Sequence, residues 1–173
     1  MNIVLIGMRG VGKTNIARRI CMPLKRAVMS TDVLVEYDYS MPIPQLVAQE
    51  GWRVFREAEF EVVRKLSVLD GIIIDAGGGV VVDVDSTGQE VYSRRKVDLL
   101  RSHGSIVFLK GNIDRLAAKV SGDATRPVLD DQRSAAELMH ARLPFYEHAA
   151  DWTIDVEGKQ RADIAEEIVA RYS

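Results

Sequence analysis

Unbroken apolar runs of strand length alternate with segments of helical period along the whole chain. Runs at 3–6, 27–29, 72–75, 106–109 and 152–156 read as strands. Several are continuous Val/Ile stretches, the mark of strands buried on both faces. Helical patterns fall at 12–22, 32–39, 43–50, 53–69, 93–102, 113–120, 134–149 and 161–171. This alternation predicts an α/β fold, a parallel sheet covered by helices on both sides. In such sheets ligands bind beyond the carboxyl ends of the strands, so the residues just after each run are the candidates for chemistry. Two stretches, 83–89 and 121–127, are rich in turn residues and read as flexible loops. No composition break, repeat or linker divides the 173 residues, a length that suits one domain.

The first run hands over to Gly7-Met8-Arg9-Gly10-Val11-Gly12-Lys13-Thr14. The spacing is G-x-x-x-x-G-K-T, the phosphate-binding loop in its strand–loop–helix setting. Glycines let the backbone curl so that N–H groups converge on phosphate oxygens, and the following helix aims its positive end at the same point. Lys13 is expected to reach the outer phosphates and Thr14 to offer its hydroxyl to Mg²⁺.

Later strand ends carry further candidates. Ser30-Thr31-Asp32 precedes a helix, where Asp32 reads either as a capping or first-turn charge or as the carboxylate that orients an attacking hydroxyl. Arg56 and Glu59 share a helix face. They read as a surface ion pair, or as an arginine gripping a substrate carboxylate with Glu59 holding it in place. Asp75 closes the third run as a Walker B aspartate would, and Gly77-Gly78-Gly79 brings the backbone close to another chain segment or a ligand. Arg126-Pro127 lies in a loop that could close over the γ-phosphate, and Arg142 stands just before Pro144 in a helical pattern.

Charge and composition narrow the partners. A net charge of −2 carries no basic bias toward nucleic acid, and no apolar run approaches membrane-spanning length. A lone cysteine, Cys21, excludes an internal disulfide and reads as core packing. With no basic flank before the first strand, a cytoplasmic protein is expected. The histidines His103, His140 and His148 lack metal-ligand spacing, and Trp52 and Trp152 read as packing residues.

Taken together the segments resemble the shikimate kinase family nearly end to end: the phosphate loop, Asp32, Phe55-Arg56-x-x-Glu59, Gly77-Gly78-Gly79, Arg126-Pro127-x-Leu129 and Arg142-x-Pro144-x-Tyr146. The resemblance implies a three-layer α/β/α P-loop kinase fold with a five-stranded parallel sheet of order 2-3-1-4-5. It implies one domain over 1–173, with a substrate-binding segment at about 32–62 and a lid at about 119–132. It further implies transfer of the γ-phosphoryl of ATP to the 3-hydroxyl of shikimate, with Mg²⁺, by a monomer in aromatic amino-acid biosynthesis. By the same resemblance Gly10, Val11, Gly12, Lys13, Thr14, Asn15, Lys119 and Arg126 serve ATP. Asp32, Arg56, Gly77, Gly78, Gly79 and Arg142 bind shikimate, and Lys13, Asp32 and Arg126 are catalytic.

The chain departs from the family in places. The family shows Asp-x-Asp after the second strand, and here Ser30 replaces the first, metal-supporting aspartate. Asp75 stands where a small or neutral residue is usual, so the metal set is expected to be Thr14 and Asp75, the carboxylate having moved from one strand end to the next. Lys119 replaces an arginine that stacks on adenine. Other readings are a related P-loop kinase for a polyol acid such as gluconate, a non-catalytic nucleotide-binding homologue, and a GTP switch. The last rests on Asp75-Ala76-Gly77-Gly78 but lacks an Asn-Lys-x-Asp stretch.

Overall fold

The computed structural model describes residues 1–121 and 133–173. In chain order the elements are β1 (Asn2–Ile6), α1 (Lys13–Leu24), β2 (Val28–Ser30), α2 (Thr31–Tyr39), α3 (Ile43–Ser67), β3 (Ile73–Asp75), β4 (Val82–Val84), β5 (Glu90–Tyr92), α4 (Arg94–Ser102), β6 (Gly104–Lys110), α5 (Ile113–Ser121), α6 (Ala135–Ala149), β7 (Trp152–Asp155) and α7 (Arg161–Tyr172). Five parallel strands form one sheet of order β2-β3-β1-β6-β7. Skipping the short β4–β5 pair, this is the expected 2-3-1-4-5.

The apolar runs are unbroken because alternate residues serve two cores. Val4 and Ile6 of β1, Ile74 of β3 and Phe108 of β6 pack with residues of α2 to α6 on one face. Ile3 and Leu5, Ile73, and Val107 and Leu109 pack against α1 and α7 on the other. Successive strand side chains point to opposite faces, and both faces are covered, so neither alternate set can be polar.

The strand order reverses between β1 and β3, and that crevice collects the carboxyl ends of β1, β2 and β3. The register places Ser30 directly beside Asp75 on the adjacent strand. At the mouth of β1, Gly12 holds φ 108°, a left-handed conformation that suits glycine, and the next residue begins α1.

The β4–β5 pair is absent from the sequence-based expectation. The expected helices at 43–50 and 53–69 follow one another within α3, divided at Gly51, where φ 84° and ψ 171° leave the helical region. Pro144 lies inside α6 without ending it. The stretch at 83–89 comprises the end of β4 and the turn that joins it to the antiparallel β5. Its turn is held by the Asp85 carboxylate, which accepts from Thr87 N at 2.8 Å and Gln89 N at 3.0 Å. Arg53 Nη2 donates to the Asp85 carbonyl at 2.8 Å, and Tyr92 packs its ring on His148 and Phe145 of α6. Among the described residues no helix is long and apolar enough to cross a membrane.

Candidate active site

One cavity of about 550 Å³ opens at the carboxyl ends of β1, β2 and β3. It is lined on one side by the phosphate loop, including Gly10, Gly12, Lys13, Thr14 and Asn15, with Lys119 of α5 beside it. The opposite wall holds Asp32, Arg56, Glu59, Gly77, Gly78, Gly79 and Arg142. Val11 does not line the cavity. It packs against both apolar clusters and anchors the loop to the sheet. Arg126 and nearly all of the expected lid lie outside the described residues.

On the phosphate side, the Lys13 ammonium donates to the carbonyls of Gly7 at 2.7 Å and Met8 at 3.1 Å, and so curls back along its own loop. The Thr14 hydroxyl donates to Asp75 Oδ2 at 2.6 Å. A hydroxyl and a carboxylate oxygen drawn together beside a phosphate loop are the hard oxygen donors that Mg²⁺ takes when it also binds substrate phosphates. Ser30, beside Asp75, caps α2 by accepting from Val33 N at 3.4 Å. Capping therefore falls to Ser30, and Asp32 stands in the first turn with its carboxylate in the cavity. Lys119 donates to the Gly10 carbonyl at 3.0 Å.

The acceptor side is built on buried charge. Arg56 and Glu59 are 3% and 1% exposed, which removes the surface-pair reading, and Arg56 Nη1 donates to Glu59 Oε2 at 3.0 Å. The same oxygen accepts from Lys96 Nζ at 2.6 Å, and Lys96, fully buried, also donates to the Val82 carbonyl at 2.6 Å. Burial alone would raise the Glu59 pKa, but Lys96 and Arg56 together hold it below the ordinary value, so Glu59 is an anion. Arg56 Nε and Glu59 Oε1 are buried and make no hydrogen bond among the described residues. The guanidinium also lies 4.9 Å from the Phe55 ring centre and 5.5 Å from that of Trp52. Trp52 thus lines the cavity as well as packing.

The glycine triplet is explained by these side chains. A Cβ on Gly77 would collide with Asp32 Oδ1, and one on Gly79 would stand 2.7 Å from the Arg56 guanidinium carbon. Gly77 N donates to Thr31 Oγ1 at 2.8 Å, and the buried Tyr146 hydroxyl donates to the Gly78 carbonyl. Asp32 is pushed up to about 6, chiefly by burial and then by the Glu59 charge, with Lys13 pulling the other way.

Arg142 is buried at the far end of this wall, and its Nε donates to Glu90 Oε2 at 2.8 Å while Nη2 donates to Glu90 Oε1. Sequence reasoning missed Lys96 and Glu90. Lys96 left a signal, since it precedes Val97 and lies four residues before Leu100, on the apolar side of α4. Glu90 left none, because its partner is 52 residues away.

A phosphate loop facing an arginine-rich acceptor wall across one cavity, on this strand order, defines a P-loop kinase of small molecules. The sequence profile described as "Shikimate kinase" matches residues 9–173. The shikimate kinase of Leptospira biflexa serovar Patoc is 41% identical over 170 residues, spanning 98% of this chain and 94% of that protein. That of Leptospira borgpetersenii is 36% identical over 171 residues, spanning 97% and 96%. The solved shikimate kinase from Acinetobacter baumannii in complex with shikimate superposes with a TM-score of 0.84 at 25% identity, covering 98% of this chain and 91% of that one. The chain belongs to the shikimate kinase family.

The Arg56–Glu59–Lys96 cluster yields a stability prediction. Removing one member leaves the others buried and undercompensated, so Lys96→Met should lower unfolding stability by about 3 kcal/mol. Urea unfolding checks this, and a loss under about 1 kcal/mol would show that Lys96 is not needed to balance the cluster.

Proposed function

We propose that the protein transfers the γ-phosphoryl of ATP to the 3-hydroxyl of shikimate, giving shikimate 3-phosphate and ADP. The observation that carries this is the buried Arg56 guanidinium, held over Gly79 by Glu59 in the same cavity as the phosphate loop and Asp32. Planar guanidinium suits a carboxylate, and a carboxylate is what separates this acceptor from a neutral sugar. Arg56 and Arg142 hold the acid end of the acceptor, and the Gly77–Gly79 backbone lies along its hydroxyls. Asp32 orients the attacking hydroxyl and takes its proton.

The amides of residues 10–15 and Lys13 cradle the phosphates, Lys119 lies toward the base, and Arg126 on a lid at about 119–132 steadies the charge in transfer. Thr14 and Asp75 are the residues that would hold Mg²⁺, which when bound neutralises charge on the β- and γ-phosphates. Asp75 takes this part because it sits beside Ser30 in register and already meets Thr14. We assign the protein to the cytoplasm, as a monomer acting in the chorismate pathway.

Coupled ADP release with ATP, Mg²⁺ and shikimate, against gluconate and AMP as acceptors, tests the reading directly. Turnover on shikimate alone is expected. Turnover on another acceptor, or ATP binding with no turnover, contradicts it.

Two further outcomes follow from the geometry. If Asp32 accepts the proton it must be ionised, so kcat/KM for shikimate should fall as pH drops through about 6. Asp32→Asn should abolish that limb together with most of kcat, and an unchanged limb would assign it to another group. For the metal, Asp75→Ala should weaken Mn²⁺ binding to the protein–ADP complex, read by electron paramagnetic resonance, by about tenfold. Ser30→Ala should leave that affinity intact while loosening the α2 cap, and equal, small effects of the two would refute the relocated carboxylate.

A further inference from the structure

We propose that Glu90, carried by the β4–β5 hairpin, is a positioning residue for acceptor recognition: it fixes Arg142 for the substrate carboxylate as Glu59 fixes Arg56. This rests on the functional reading above. Arg142 is 5% exposed and lines the cavity, whereas Glu90 does not line it and grips the guanidinium from behind. Both carboxylate oxygens are engaged, one with Nε at 2.8 Å and the other with Nη2. Two parallel contacts fix the plane of the fork as well as its place. Burial works against the Arg142 charge, and Glu90, together with Tyr146 and Glu59, more than offsets it.

The hairpin is built to hold Glu90 still. Its turn closes on Asp85, Arg53 ties that turn to α3, and Lys96 bonds the Val82 carbonyl of β4. Asp83 of β4 accepts from Ser93 Oγ at 2.6 Å and from Arg95 Nε at 2.9 Å. On the other strand Tyr92 packs on Phe145 and His148, about one and nearly two turns beyond Arg142 on α6. A carboxylate on so fixed a support sets the aim of its partner and does not swing with it.

The charges of the wall agree with this role. Arg56, Lys96 and Arg142 face Glu59 and Glu90, while Asp83 is covered chiefly by Arg95. Arg142 is one of the two arginines on this wall of the cavity, and its counter-charge is supplied from β5 of the hairpin. The hairpin thereby becomes part of the acceptor site, although no residue of it enters the cavity.

Steady-state kinetics of Glu90→Ala and the near-isosteric Glu90→Gln, each alone and combined with Arg142→Lys, test the proposal. Glu90→Ala should raise KM for shikimate about tenfold, with KM for ATP unchanged and kcat within about threefold. Glu90→Gln, which keeps one acceptor oxygen, should recover part of the loss. On the Arg142→Lys background Glu90→Ala should add little, because its effect passes through that guanidinium. An unmoved KM for shikimate in both variants overturns the proposal. So does a lowered one, which would make Glu90 a competitor of the substrate, and so does a full additive penalty beside Arg142→Lys. Absence of shikimate turnover by the unmodified protein overturns the functional reading and this proposal with it, whereas turnover with an unmoved KM overturns the proposal alone.

Discussion

An arginine cannot be buried alone, and the acceptor half of this site follows from that constraint. Arg56 reaches the cavity from inside the fold only because Glu59, one turn along α3, lies under it. Glu59 in turn is tolerated in the core because Lys96 arrives from α4 at 2.6 Å. Lys96 also donates to the carbonyl of Val82, which ties α3, α4 and β4 to one buried point. The glycine at 79 is the backbone's accommodation to the guanidinium above it. Charge, helix packing and the glycine triplet are thus parts of one arrangement.

The phosphate half was legible in the sequence because it is local. Strand, loop and helix are contiguous, and the spacing from Gly7 to Thr14 dictates the backbone path whatever the rest of the chain does. The five strands were legible for a similar reason: with helices on both faces, each strand must be apolar throughout. Arg56 and Glu59 were visible as neighbours one turn apart, but their burial was not, since a helix face can look inward or outward with the same spacing. The hairpin was hidden by its brevity. Strands of three residues carry too little alternation to register, and Asp85-Ser86-Thr87-Gly88 reads equally well as a loop. Glu90 was hidden by distance along the chain, because an ion pair across 52 residues leaves no periodic trace.

The proposed relocation of the metal-supporting carboxylate rests on the pairing of β2 with β3. In the chain Ser30 and Asp75 are far apart, yet the parallel register sets them side by side. The hydroxyl of Thr14 at the start of α1 donates to the carboxylate on one of these two strand ends, Asp75. The position left to Ser30 is then free to cap α2, which a short hydroxyl side chain does well. This exchange keeps a carboxylate beside the phosphate loop and Asp32 on the acceptor side of the cavity.

If the Arg56 wall recognises the carboxylate of shikimate, Trp52 is a reporter within it, since the guanidinium lies over its ring. With Trp152→Phe removing the other indole, Trp52 fluorescence would be titrated with shikimate, gluconate and AMP in the presence of ADP. The account predicts a saturable change with shikimate that is strongly weakened by Arg56→Lys and absent with AMP. No change with shikimate, or an equal response that survives Arg56→Lys, would contradict it.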